Sequence, residues 1–213
     1  MKIDTILFDF DGVIADTESI YGAFWDKLAL EYNVGIENFS SKIKGRILTS
    51  ILGEYFTMCT QAQIDKIEAD LEDMELNMPF VFIEGAKDFL LLLKDKGFNL
   101  ALVTSSNMPK MKVALKTLGL EDIFKVLVTG DIVTEGKPSP MCYLQAAKFF
   151  DKESQQCLVF EDSINGMKSA LNANMPLIAL TTTLSESEIE PYTKNIITNF
   201  LDKEAILKII QSL

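Results

Sequence analysis

Thr5-Ile6-Leu7-Phe8-Asp9-Phe10-Asp11-Gly12-Val13 is an apolar run that closes on two acids and a glycine. An unbroken stretch of aliphatic and aromatic residues suits a strand buried on both faces. Residues two apart on a strand point to the same side, so Asp9 and Asp11 project together at its end. Gly12 then permits a sharp departure of the chain. Taken alone, Asp11-Gly12 is also an ordinary turn signal.

Four similar runs follow: FNLALVT (Phe98–Thr104), KVLVTG (Lys125–Gly130), CLVFE (Cys157–Glu161) and PLIALT (Pro176–Thr181). Helical periodicity lies between them, over Gly85–Lys96, Met108–Leu118, Pro140–Phe150 and Ser163–Ala173. Gly97 and Gly119 stand where helix C-caps belong. This alternation predicts a doubly wound α/β domain with a parallel sheet. Residues 17–80 break the rhythm. They show no strand-like run, and helical spacing appears in Ser19–Tyr32, near Ile47–Phe56 and in Gln63–Met78. The pattern predicts a catalytic core built from residues 1–16 and 81–213, with residues 17–80 inserted as an all-helical unit. Asp202–Leu213 reads as a closing amphipathic helix.

Composition narrows the chemistry. The 213 residues include no histidine, so catalytic triads, Cys–His dyads and phosphohistidine mechanisms are excluded. A net charge of −11 argues against a nucleic-acid or anionic-membrane partner. Cys59, Cys142 and Cys157 are odd in number and widely spaced, which fits a reducing compartment. The acid-studded N-terminus is no signal peptide, and the apolar runs are too short to span a bilayer. A soluble, cytoplasmic, monomeric protein is expected.

In a doubly wound sheet, ligands bind at the carboxyl ends of the strands. Those ends offer Asp9 and Asp11, then Thr104-Ser105-Ser106-Asn107, then Lys137-Pro138, then Glu161-Asp162-Ser163. Each group has a plain reading as a turn, a helix cap or a solvated charge. Together they compose one cation-binding, phosphate-binding cluster. An all-oxygen donor set of this kind suits Mg²⁺.

These residues resemble the haloacid-dehalogenase superfamily of phosphotransferases, in family order and over essentially the whole chain. Asp9-Phe10-Asp11-Gly12-Val13 resembles the first motif, Thr104 the second, Lys137-Pro138 the third and Glu161-Asp162 the fourth. The helical insertion resembles a type C1 cap, and the nearest likeness is to β-phosphoglucomutases and small sugar-phosphate phosphatases. The resemblance implies that Asp9 is the nucleophile and Asp11 the acid/base. It implies Mg²⁺ held by Asp9, Asp162, Glu161 and the Asp11 main-chain carbonyl. Thr104, the Ser105 backbone and Lys137 would hold the phosphoryl oxygens, with Ser106 beside them as a further substrate-binding residue.

The same resemblance separates hydrolysis from isomerisation. β-Phosphoglucomutases carry a cap histidine where this chain has Tyr21, and a cap arginine where it has Leu48. Lys44-Gly45 match, but Arg46, the only arginine, lies two positions early. The expectation is therefore a phosphatase for a small phosphorylated metabolite, with a sugar phosphate as the expected substrate. A mutase is the alternative, and an inactive regulatory protein a more remote one. Thr17, Tyr21, Lys44 and Arg46 are the expected substrate contacts from the cap, with Trp25 and Met108 as weaker candidates. The acidic stretch Glu68–Glu75 and the lysines Lys110, Lys112 and Lys116 read as solvated helix faces.

Overall fold

The computed structural model describes residues 2–213. Six parallel strands form one sheet: β1 (Thr5–Phe8), β2 (Asn99–Val103), β3 (Val126–Val128), β4 (Cys157–Glu161), β5 (Leu177–Leu180) and β6 (Ile196–Ile197). Their order is β3-β2-β1-β4-β5-β6. The order reverses beside β1, so the crevice between β1 and β4 is the switch point where such sheets bind ligands. Phe8 pairs with Phe160, and one residue further the register sets Asp9 beside Glu161. The amide of Asp9 donates to the carbonyl of Phe160 at 3.0 Å, which carries the alignment past the end of the strand.

Alternation along the strands divides the core in two. Ile6, Phe8, Leu102 and Phe160 face α5 (Ala86–Asp95), α6 (Met108–Leu118) and α10 (Lys203–Ser212). Leu7, Val103 and Val159 face α7 (Met141–Phe149) and α8 (Ile164–Asn172). Both faces are covered, which is why the strands read as continuous apolar runs rather than alternating ones. The helices that follow β2 and β4 start on side-chain caps: Asn107 accepts from the Lys110 amide, and Ser163 from the Gly166 amide.

Four helices lie between β1 and α5: α1 (Glu18–Glu31), α2 (Phe39–Ile43), α3 (Leu48–Tyr55) and α4 (Gln61–Asn77). They enclose a separate hydrophobic cluster, with Trp25, Phe39, Phe56 and Leu71 among its members. Edge-to-face rings, such as Trp25 on Phe39, fix its packing. Helix α2, the four-residue helix α9 (Glu186–Ile189) and strand β6 are absent from the sequence reading. Each is too short to show a period.

Strand β1 also ends earlier than its apolar run. After Asp9 the chain curls, and the carbonyl of Phe10 accepts from the amides of Val13, Ile14 and Ala15. Among the described residues no helix is long and apolar enough to cross a membrane.

Candidate active site

The carboxyl ends of the central strands bring the acids together. Oxygens of Asp9, Glu161 and Asp162 lie within 4.8 Å of one another, and all three residues are buried. Gly12 makes this approach possible. Its φ of +74° is left-handed, and a Cβ there would lie 2.0 Å from Asp162 Oδ2.

Lys137 enters the cluster from the loop before α7. Its Nζ lies 2.6 Å from Glu161 Oε1 and 3.0 Å from Asp9 Oδ1. Glu161 is fully engaged. Oε1 also accepts from the Tyr143 hydroxyl, while Oε2 accepts from the Asp162 and Ser163 amides and the Ser163 hydroxyl. Asp162 receives a hydrogen bond from Thr183, whereas Lys137 pairs with Asp9 and Glu161.

These surroundings set the charges. Burial pushes the Asp9 carboxyl up to about 7; Lys137 opposes the rise, and Glu161 and Asp11 add to it. Burial raises Asp162 well above the usual carboxylate range, with Glu18, Glu161 and Asp9 adding repulsion. Burial works against the Lys137 charge, but Asp9 and Glu161 outweigh it and hold its pKa above the ordinary value.

Asp11 has a different environment. Oδ1 accepts from Thr17 Oγ1 at 2.5 Å and from Lys110 Nζ at 2.5 Å. Oδ2 accepts from Ser106 Oγ at 2.8 Å and from Lys110 at 2.7 Å. Burial alone would raise this carboxyl, yet the Lys110 charge and its hydrogen bonds hold it below the usual range.

A cavity opens over these residues. Asp9, Asp11, Asp162, Thr104, Ser105 and Ser106 line it from the core, and Glu18, Tyr21, Trp25, Lys44 and Arg46 from the helical insert. Lys44 Nζ lies 2.5 Å from Glu18 Oε2. In and around the cavity, the carboxylates of Asp9, Asp11, Glu18, Glu161 and Asp162 outnumber the lysines Lys44, Lys110 and Lys137 that pair with them. The all-oxygen donors of Asp9, Glu161 and Asp162 match a hard metal. The acidic cluster is therefore a fitting site for a divalent metal.

Several expected contacts are placed differently. Thr17 is fully buried and does not line the cavity; its hydroxyl is spent on Asp11. Ser105 does line the cavity, with its hydroxyl donating to the Gly45 carbonyl at 2.7 Å, which docks the insert onto the core. Asn165 does the same to the Lys44 carbonyl at 2.8 Å. Arg46 is held inside the insert by Glu54, Ser50 and Tyr55 at 2.5, 2.6 and 3.1 Å. Met108 lies outside the cavity lining.

Two solvated-face readings are corrected. Lys112 and Lys116 are exposed, but Lys110 is completely buried on Asp11. Glu68, Asp70, Glu72 and Asp73 are exposed, but Glu75 is buried and accepts from Tyr21 at 2.5 Å and Asn107 at 3.2 Å. The signal was the helical stripe. Lys110 shares spacing with the buried Ala114 and Leu118, and Glu75 with Ile67 and Leu71.

Residues 6–180 match the family model described as haloacid dehalogenase-like hydrolase. The chain belongs to that family. It is 30% identical to the phosphorylated carbohydrates phosphatase of Thermotoga maritima, over 83% of this chain and 84% of that protein. Hexitol phosphatase A of Escherichia coli is likewise 30% identical, covering 84% of each. Among solved structures, the β-phosphoglucomutase of Clostridium difficile superposes with a TM-score of 0.78 at 22% identity, over 99% of this chain and 98% of that one. At that identity the likeness speaks for the fold. The parallel sheet with its strand order β3-β2-β1-β4-β5-β6 is thus the fold of a hydrolase of the haloacid dehalogenase-like family.

Proposed function

We propose that this hydrolase is a Mg²⁺-dependent phosphatase that cleaves a small phosphorylated metabolite, with sugar phosphates first among the candidates. The observation that carries the reading is the convergence of Asp9, Lys137, Glu161 and Asp162 at the β1/β4 crevice, beneath a cavity roofed by the helical insert. The names of the relatives, phosphatases of phosphorylated carbohydrates and hexitols, support the substrate class.

Asp9 attacks phosphorus and forms an aspartyl phosphate while the ester oxygen leaves. Asp11 gives that oxygen a proton, then takes one from the water that releases phosphate. Thr104, just past the end of β2, and Lys137 hold the phosphoryl oxygens where charge spreads. Mg²⁺ would be held by Asp9, Asp162, Glu161 and the Asp11 carbonyl, and would neutralise the charge that keeps an anionic substrate from an anionic nucleophile. The helical insert, residues 17–80, acts as a cap over the site and excludes water from the first step.

A mutase needs a free anchor for a second phosphate. Arg46 is committed to Glu54, Ser50 and Tyr55, which favours hydrolysis. A panel of sugar and nucleotide phosphates with MgCl₂, read for phosphate release and isomerisation together, tests the proposal. Release from at least one sugar phosphate, silenced by chelation, is expected. Isomerisation without release would replace phosphatase by mutase.

A further inference from the structure

Lys110 is a fully buried lysine to which the reaction above gives no role. It occupies the apolar stripe of α6, where an aliphatic residue would serve packing better. Burying an ammonium costs several kcal/mol unless partners surround it. Here the partners are specific. Nζ reaches both oxygens of Asp11 and Ser106 Oγ, and lies 4.6 Å from the centre of the Tyr21 ring and 5.4 Å from that of Phe10. Ring faces attract cations at this range.

The arrangement crosses from core to insert. Tyr21 belongs to α1 and donates to Glu75 of α4, whose other oxygen accepts from Asn107 at the start of α6. Burial raises the Glu75 carboxyl, and the nearby Lys110 charge opposes that rise. Lys110 therefore sits between the acid/base carboxylate and the two insert helices that close over it.

We propose that Lys110 is a positioning residue that fixes the Asp11 carboxylate for proton transfer and ties that placement to the docked helical insert. The proposal rests on the phosphatase reading. A carboxylate has about four lone-pair positions, and Thr17, Ser106 and Lys110, the last twice, occupy all four on Asp11. Ser106 lines the cavity, so its hydroxyl is the donor that water displaces. Thr17 and Lys110 do not line the cavity, and they keep the carboxylate aimed.

The step most sensitive to that aim is release of phosphate. Water oxygen bonds to phosphorus, the bond from phosphorus to Asp9 breaks with its electron pair returning to the Asp9 carboxylate, and the water proton passes to Asp11. The proton replaces the one Asp11 gave to the leaving oxygen, so the cycle closes with alcohol and phosphate. With an aryl phosphate the first step needs no proton, because the phenolate leaves unaided. Loss of positioning then shows only in the second step.

The test is Lys110→Met in the full chain with MgCl₂ and 4-nitrophenyl phosphate. The expected result is a fall in kcat of about 10²-fold, the scale of a small misplacement, with kcat/KM falling less than about tenfold. Phosphoenzyme, seen by intact mass after acid quench, should rise to the major species. Lys110→Arg should recover part of kcat. If Lys110→Met does not fold, Glu75→Gln, which removes the insert-side charge, should show the same kcat-selective loss to a smaller degree. Parallel falls in kcat and kcat/KM without phosphoenzyme, or a kcat unchanged or raised, would overturn the proposal. A wild-type protein that neither forms phosphoenzyme nor releases phosphate sinks the phosphatase reading and this inference with it, and the wild-type arm alone reveals that outcome.

Discussion

The two walls of the cavity are built on different principles. On the core side, Asp9, Glu161 and Thr104 are set by strand register and by backbone hydrogen bonds that continue past the strand ends. On the insert side, Lys44 and Arg46 are held by partners of their own wall, Glu18 for one and Glu54, Ser50 and Tyr55 for the other. The core wall has little freedom to vary because one buried charge depends on the next. The insert wall can change residue by residue. A fold that keeps its reaction while changing its substrate needs this division.

The contrast can be tested from its strongest claim downward. Asp9→Asn should abolish turnover of a generic aryl phosphate, by about 10⁴-fold or more, since a lost nucleophile removes the covalent route. Near-wild-type rates in that variant would remove the core wall's central assignment.

Lys137→Met should cost about 3–5 kcal/mol of stability, because it leaves Asp9 and Glu161 buried without their cation. Urea unfolding of the metal-free protein measures this. A midpoint equal to wild type would mean the core wall is not held by its charges.

Metal binding should stabilise the core wall in a pH-dependent manner. At about 100-fold excess over Kd, linkage gives about 2.7 kcal/mol, a Tm rise of about 5–10 °C for a chain of this size. Asp9 is pushed up to about 7 and Asp162 is also raised, so below that pH the metal must displace protons from its own ligands. The Tm rise should therefore be full near pH 8 and shrink toward pH 6. A rise that grows as pH falls would contradict the ligand set.

The smallest effect belongs to the insert. Arg46→Ala should barely move Tm, because its ion pair with Glu54 is solvent-exposed on the Glu54 side. It should change KM among sugar phosphates while leaving aryl phosphate kcat nearly unaltered. A collapse of aryl phosphate turnover would erase the distinction between the walls.

The core wall was legible in the sequence for the same reason that it is rigid. Strand ends in a doubly wound sheet meet at one edge, so acids and hydroxyls at successive strand ends must converge. The helices of the insert were legible as periodic segments, but their contacts were not. Thr17 was expected at the substrate and instead holds Asp11. Ser105 lines the cavity as expected, but that its hydroxyl docks Gly45 was not legible. Lys110 and Glu75 were read as solvated because long charged side chains on helices usually are. Their positions on buried stripes beside Ala114 and Ile67 carried the contrary signal.

The sequence by itself determined the alternation of strands and helices, the helical insertion and the order of the four acidic, hydroxyl and basic groups. It could do so because these depend on local periodicity and on one topological rule. Only the tertiary structure decided which charges pair. That Lys137 serves Glu161 and Asp9, that Lys110 serves Asp11, and that Arg46 is turned toward Glu54 depend on how helices from distant parts of the chain face one another. Pairing is a matter of a few ångströms between side chains far apart in sequence, and periodicity holds no record of it.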